Sequence, residues 1–223
     1  MINFSNNSIL VENYLNNQSK LLSSIILIVT GTVLLTLSAK IAVPFYPVPM
    51  TLQTLLVLFI GLTYGRILAP LTVALYLFQG AIGLPVYANG GGVVYLLGPT
   101  GGYLIGFLIA VIILSHLSNI GWNRNYALTL VSLMVGTITI FSCGLLQLSI
   151  VLNKSIADSM LLGLTPFIYG ETFKILILLV LIHILEDGME LVVAVVVLVL
   201  IKTMHLIITL LYGEEVEISI RLV

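Results

Sequence analysis

Residues 51–82 read TLQTLLVLFIGLTYGRILAPLTVALYLFQGAI, an apolar stretch whose clearest interruption is Gly65–Arg66. The interruption divides it into two runs, Thr51–Tyr64 and Ile67–Ile82. A helix that crosses the ~30 Å hydrocarbon core of a bilayer needs about 20 apolar residues, so the stretch is too long for one membrane helix. We predict two helices joined by a tight turn, with Pro70 in the first turn of the second helix, where a missing backbone N–H is tolerated.

Apolar runs of similar character continue along the rest of the chain. Their lengths predict four further membrane helices, within Lys20–Val43, Thr100–Trp122, Tyr126–Leu152 and Leu161–Leu185. In the last of these runs, Pro166 and Gly170 place the start of the helix near Phe167. A seventh run, Leu191–Tyr212, is also long enough to span a bilayer, although Lys202 and His205 interrupt it.

The composition indicates a chain embedded in lipid. Of its 223 residues, 60% are hydrophobic and 8% are charged, whereas a soluble domain is about 25% charged. We therefore predict an all-α membrane protein, because helices satisfy their own backbone hydrogen bonds within lipid. A net charge of −1 without a Lys/Arg cluster excludes the basic surface of a nucleic-acid-binding protein. The single cysteine, Cys143, excludes an intrachain disulfide.

The positions of Lys and Arg predict the orientation, because cytoplasmic loops carry an excess of these residues. An inner N-terminus places Lys20, Arg66 and Arg124 inside and Lys154 outside. Three unusual segments then lie on the outer side: Val43–Met50, Gly83–Gly102 and the stretch before Glu171. Elaborate loops on one face of a bundle are typical of a binding mouth, so we expect a ligand that is captured from outside.

The second outer segment is rich in glycine but too apolar for a solvated linker. Non-helical backbone near a membrane must be buried in protein or line a cavity, so this loop is either a cap on the bundle or a lid over a pocket. A phosphate-binding loop is disfavoured, because no Gly-x-x-x-x-Gly-Lys-Ser/Thr pattern occurs.

Glu171 and Lys174 are the ionisable residues of greatest interest. Their spacing of three places them on one helical face within an apolar run, and ionisable residues inside membranes are commonly functional. They form either a self-neutralising pair near the interface or a polar patch in a cavity. Lys40, by contrast, lies near the end of its run, from which its ammonium can reach the headgroups.

Several uncharged residues have two interpretations each. Gln53 and Gln79 suit helix–helix hydrogen bonds as well as ligand contacts. Four tyrosines gather on the outer side, where they form either an interfacial aromatic belt or the walls of a ligand site. These are Tyr46, Tyr87, Tyr95 and Tyr103.

Catalytic patterns have little support, and we predict that the chain is not an enzyme. His116, His183 and His205 fall in three different segments, and neither His-Glu-x-x-His nor Gly-x-Ser-x-Gly occurs. Neither a metal site nor a cofactor is expected. A membrane-embedded enzyme that uses Glu171 and a histidine remains an alternative, as does a structural subunit without a ligand.

Four stretches carry a resemblance to a known family. They are AKIAVPFYPVPMTLQT (39–54), GAIGLPVY (80–87), LGPTGGYLIGF (97–107) and PFIYGETFK (166–174). In this order and composition they strongly resemble the BioY family, the biotin-capturing S components of energy-coupling-factor (ECF) transporters. An S component for a different small vitamin is the closest alternative.

The resemblance implies the fold and the domain organisation. It covers residues 20–185 and implies a six-helix S-component bundle, to which the run at Leu191–Tyr212 would add a seventh helix. Residues 1–19 form a polar N-terminal segment, and residues 186–223 form a hydrophobic extension for which the family implies no role.

The resemblance also implies a binding site near the outer face. Asn89, Glu171 and Lys174 match family binding positions, although the family usually has Asp where this chain has Glu171. The ureido ring of biotin offers two N–H donors and a carbonyl acceptor, which suit a carboxylate and an amide. Side chains that complete the predicted site are Tyr46, Gln53, Tyr87 and Tyr95.

Partners follow from the resemblance as well. It implies binding without catalysis in a bacterial plasma membrane, with transport driven by a coupling subunit and a pair of ATP-binding-cassette (ABC) ATPases. Small residues allow helices to approach closely in membranes, and the first run offers a set of them either for the coupling subunit or for packing within the bundle. The set is Gly31, Thr32, Thr36, Ser38 and Ala39.

Overall fold

A computed structural model of the chain describes residues 20–186. The polar segment 1–19 and the run Leu191–Tyr212, with its predicted seventh helix, lie outside the described residues. The helices are α1 (Lys20–Lys40), α2 (Gln53–Thr63), α3 (Gly65–Ala81), α4 (Val93–Leu97), α5 (Gly101–Asn119), α6 (Tyr126–Leu152), α7 (Ile156–Gly163) and α8 (Ile168–Glu186). Two-residue strands, β1 (Ala42–Val43) and β2 (Met50–Thr51), pair antiparallel between α1 and α2.

The predicted all-α membrane architecture is confirmed. A helix occupies each of the six apolar runs between Lys20 and Leu185. Within the described residues, four helical stretches are long and apolar enough to cross a membrane, namely Leu21–Lys40, Gly101–Asn119, Tyr126–Leu152 and Ile156–Leu185. The last stretch combines α7 and α8, and α8 begins at Ile168, next to the predicted start at Phe167.

The short helix α2 lies inside the bundle rather than at its edge. Nine of its eleven residues are buried, and its neighbours include α5, α3 and α1. Close approach to α5 depends on Gly61, since a Cβ there would lie 2.9 Å from Cβ of Leu114. The buried position of α2 gives its first turn, Gln53 and Thr54, access to the interior of the protein.

Pro70 does not lie in the first turn of its helix, so that prediction is wrong. Gly65 has a φ of 84°, a left-handed conformation that glycine adopts without steric cost. The chain therefore bends at Tyr64–Gly65, and α3 begins at Gly65, five residues before Pro70. The apolar pattern located the interruption but not the residue at which the next helix starts.

The small residues of α1 do not form an outward-facing stripe, which corrects a second prediction. Gly31, Thr32, Ser38 and Ala39 are buried within the bundle, and Thr36 is half-buried. A Cβ at Gly31 would meet Thr72 and Tyr64, so the small residues allow α1 to approach α3. The exposed face of α1 consists instead of large apolar side chains, among them Leu21, Ile26, Val33 and Leu37.

Candidate functional site

A cavity of about 50 Å³ lies where the three predicted outer segments meet. The turn between β1 and β2 contributes Val48 and Pro49, the loop after α3 contributes Tyr87 and Ala88, and α8 contributes Glu171. Aromatic rings form much of the remaining wall: Tyr95, Tyr103, Phe107, Phe141 and Phe167. The arrangement combines an apolar, aromatic enclosure with a few polar groups, as small-molecule sites do.

Glu171 supplies the negative charge of this cavity. It lies in the first turn of α8, where the helix dipole favours an anion, and its relative exposure is 5%. Its Oε1 accepts hydrogen bonds from Nζ of Lys174 at 2.6 Å and from Oγ1 of Thr54 at 2.9 Å. Its Oε2 is buried and has no hydrogen-bond partner among the described residues.

Lys174 is almost completely buried, and its donors are fully used. Besides Oε1 of Glu171, its Nζ donates to the carbonyl oxygen of Thr51 at 2.7 Å and to Oγ1 of Thr54 at 2.8 Å. A lysine ammonium has three N–H donors, so these three bonds exhaust it. The ion pair is therefore self-neutralising and also adjoins a cavity, which combines the two interpretations of the sequence.

Gln53 lines the cavity, and the oxygen and the nitrogen of its amide each form a hydrogen bond to another residue. Oε1 accepts from Oγ1 of Thr51 at 3.1 Å, and Nε2 donates to the hydroxyl oxygen of Tyr76 at 2.6 Å. The hydroxyl of Tyr76 donates in turn to the carbonyl oxygen of Val86 at 2.9 Å. Gln53 thus joins α2 to α3 and to the loop beyond it.

Tyr87 and Tyr95 both line the cavity, as the ligand-wall interpretation requires. Their rings stack, with centroids 5.1 Å apart and an angle of 30° between the planes. The hydroxyl of Tyr87 donates to the carbonyl oxygen of Leu77 at 2.7 Å. Burial, with a smaller contribution from Tyr95, raises the pKa of Tyr87 to about 12, so its hydroxyl remains a neutral donor at physiological pH.

Asn89 and Tyr46 lie outside this inner cavity. Asn89 is exposed and borders an adjoining outer cavity of about 380 Å³. Pro49, Tyr95 and Thr100 line both cavities, so the two are adjacent, and we call the outer one the vestibule. The side chain of Tyr46 is 90% exposed and lines neither cavity, so the structure does not bring it together with the other predicted residues.

Sequence reasoning missed Thr54, Tyr76, Phe141 and Phe167. Thr54 lies 117 positions from Glu171 along the chain, and no local spacing indicates that the two side chains meet. The aromatic residues are indistinguishable in sequence from ordinary core residues. Among residues 20–186, no group of three His, Cys, Asp or Glu side chains is arranged to hold a metal ion.

Comparison with known proteins places this geometry in context. A family model described as the BioY family matches residues 11–191. The biotin transporter BioY of Thermotoga maritima is 34% identical over 147 residues, which cover 66% of this chain and 85% of that protein. The probable biotin transporter BioY of Pyrococcus horikoshii is 38% identical over 144 residues, covering 63% of this chain and 82% of that protein.

A solved structure shares the fold. It is the crystal structure of the S component for biotin from an ECF-type ABC transporter, which matches with a TM-score of 0.68 at 25% sequence identity. The match covers 77% of this chain and 94% of that one. Nearly the whole of the solved protein thus has a counterpart in the chain described here.

Proposed function

The chain belongs to the BioY family, and on that premise we propose that it is the biotin-binding S component of an ECF-type biotin transporter. It is a transporter subunit rather than an enzyme. In this proposal biotin is the transported substrate and not a cofactor, and no cofactor is required. Its proposed location is the bacterial plasma membrane, with the cavity open to the outer side.

The observation that carries the proposal is the unpartnered Oε2 of Glu171. A buried carboxylate oxygen without a donor is costly, and the ureido ring of biotin brings two N–H donors to such a group. Oε2 therefore accepts a ureido N–H, while Lys174 and Thr54 hold Oε1. Lys174 acts here by neutralising and orienting Glu171, because its three donors are already engaged.

The two cavities support an orientation for the ligand. The inner cavity, at about 50 Å³, is well below the ~300–1,000 Å³ typical of small-molecule sites, whereas the outer cavity, at about 380 Å³, falls within that range. In the proposed complex the ureido ring faces Glu171, the apolar thiophane ring lies among the aromatic walls, and the valerate chain points into the vestibule. Asn89 supplies the polar contact at the vestibule.

Transport itself requires partners. The solved relative is an S component of an ECF-type ABC transporter, and we propose that this chain likewise works with a transmembrane coupling subunit and a pair of ABC ATPases. The S component contributes capture of biotin, and the ATPases contribute the energy.

Equilibrium binding tests the function directly. The full chain, purified and placed in nanodiscs, is expected to retain labelled biotin saturably at one site, with unlabelled biotin as competitor. Riboflavin and thiamine serve as controls for vitamin selectivity. Saturable binding of another vitamin in place of biotin, or turnover of any of these compounds, would contradict the proposal.

A further inference from the structure

Gln53 is a cavity residue whose amide oxygen and amide nitrogen each form one hydrogen bond to another residue. Thr51 donates to its Oε1, and its Nε2 donates to the hydroxyl of Tyr76 at 2.6 Å. A glutamine held at both ends of its amide has a fixed orientation. The bond to Tyr76 links Gln53 to Val86, whose carbonyl oxygen accepts a hydrogen bond from Tyr76.

Tyr76 connects this amide to the glycine-rich loop. The side chain is fully buried, and its hydroxyl donates to the carbonyl oxygen of Val86 at 2.9 Å. Its ring also meets the ring of Tyr87 edge-on, with centroids 5.6 Å apart. Val86 and Tyr87 directly precede Ala88, which lines the inner cavity, and Asn89, which borders the vestibule.

Other contacts attach the same loop segment to the bundle. Nζ of Lys40 donates to the carbonyl oxygen of Tyr87 at 2.7 Å, and the hydroxyl of Tyr87 donates to the carbonyl oxygen of Leu77 at 2.7 Å. The ring of Tyr87 lies against Gly80, where any Cβ would collide with it. The loop is therefore anchored by specific hydrogen bonds, and the bond from Tyr76 is connected to Gln53, which lines the inner cavity.

The series of hydrogen bonds continues from Gln53 to Lys174 through the turn at residues 51–54. Thr51 donates its hydroxyl to Gln53 and offers its carbonyl oxygen to Lys174, the partner of Glu171. An unbroken series of polar contacts thus joins the carboxylate in the inner cavity to the loop that carries Asn89.

We propose that Gln53 and Tyr76 are positioning residues. They fix the position of the loop Val86–Asn89 relative to Glu171, so that Asn89 and Glu171 can contact the same ligand molecule. Tyr76 lines neither cavity, and Gln53 acts on the loop through the hydrogen bond from its Nε2 to Tyr76. The inference rests on the proposed function for the identity of the ligand, but the placement of the loop does not depend on it.

The test removes one hydroxyl with Tyr76→Phe, and Gln53→Met provides a second variant that breaks the same series of contacts. Ser118→Ala is the matched control, because its buried hydroxyl also donates to the carbonyl of another helix, Leu62 on α2, outside the series. Hydrogen–deuterium exchange of residues 83–92 is measured on the ligand-free full chain in nanodiscs, followed by the rate of biotin dissociation.

Both variants are expected to speed amide exchange in residues 83–92, because each removes two side-chain hydrogen bonds. The dissociation rate is expected to rise at least about 3- to 10-fold, the factor that corresponds to one hydrogen bond. Ser118→Ala is expected to leave exchange in this loop unchanged. If Tyr76 acts by placing Asn89, Tyr76→Phe combined with Asn89→Ala weakens binding by much less than the product of the two single effects.

Unchanged loop exchange in both variants, or multiplicative effects with Asn89→Ala, would overturn the inference. A parent protein that binds no biotin would contradict the proposed function instead, and the exchange comparison on ligand-free protein would still decide whether Tyr76 holds the loop.

Discussion

The two carboxylate oxygens of Glu171 have different environments and different consequences. Oε1 receives Lys174 and Thr54, which compensate the cost of burying the charge. Oε2 receives no hydrogen bond from the described residues, and Glu171 lines the inner cavity. A site built in this way holds one carboxylate oxygen by protein donors and still offers the other oxygen to a donor that enters.

The residue at position 171 gives a direct test of this acceptor. Glu171→Ala is expected to weaken biotin binding about ten- to hundredfold, since a hydrogen bond to a charged group contributes about 1.5–3 kcal/mol. Glu171→Asp is expected to weaken it less, because the shorter side chain keeps the charge. Equilibrium binding of labelled biotin in nanodiscs measures both effects.

Asp158→Ala is the control for Glu171. Asp158 is an exposed carboxylate in the first turn of another helix, α7, so its loss tests whether any helix-start acid matters. We expect no change in affinity. Equal affinities for Glu171→Ala and the parent chain would show that the carboxylate makes no contact with biotin.

For individual residues, the sequence predicted contacts correctly where the two residues are close together in the chain. The spacing of three predicts that Glu171 and Lys174 meet, and they form an ion pair with N and O 2.6 Å apart. Sequence reasoning failed for Thr54, whose hydroxyl reaches Glu171 from another helix. For Gln53 the structure shows the helix–helix hydrogen bond, to Tyr76, that was one of its two interpretations. A pairing between distant segments depends on how helices pack, which the local pattern does not specify.

At the scale of helices, the hydrophobic pattern identified the elements but not their faces. It predicted a helix in each of the six runs, because membrane spans require continuous apolar sequence. It assigned the small residues of α1 to a partner surface, whereas Gly31 and Ala39 are buried in the bundle. In lipid, inner and outer faces are both apolar, so composition alone does not distinguish them.

Packing of α2 against α5 leads to a prediction about stability. In Gly61→Ala the new Cβ would lie 2.9 Å from Cβ and 3.0 Å from Cδ1 of Leu114, so the helices must separate. Overpacking of this kind costs about 1–3 kcal/mol, and we expect a lower midpoint of thermal unfolding in detergent.

A second substitution at Leu114 tests the cause of that destabilisation. Leu114→Ala removes Cδ1, one of the two atoms nearest the new methyl group. The double variant is therefore expected to be less destabilised than the sum of the two single variants. Strict additivity would indicate that the destabilisation does not come from Cδ1 but from Cβ of Leu114, which Leu114→Ala retains, or from the backbone of α2.

At the scale of the whole molecule, the site depends on the convergence of segments that are far apart in sequence. The turn between β1 and β2, the loop after α3 and the start of α8 meet at one end of the bundle. The sequence predicted that these segments share a side of the membrane, because their order alternates with short turns on the other side. The division into an inner cavity and a vestibule requires the packed structure.

Energy coupling also belongs to the whole molecule, and it provides the last prediction. Within the described bundle the buried charges Glu171 and Lys174 neutralise each other at one end. This arrangement suits binding at a fixed site and does not form a path for a coupled ion. Reconstituted alone in sealed vesicles, the full chain is therefore expected to bind biotin without accumulating it.

Addition of the proposed coupling subunit and both ATPases is expected to produce ATP-dependent uptake of labelled biotin into the same vesicles. The complex with Glu171→Ala serves as the control, since it should hydrolyse ATP yet transport little biotin at low concentration. Accumulation by the chain alone, driven by an ion gradient, would contradict the assignment as a binding subunit. Such a result would direct attention to Lys40 and His183, whose nitrogen atoms contact backbone carbonyls of Tyr87 and Leu179, as carriers of the coupled charge.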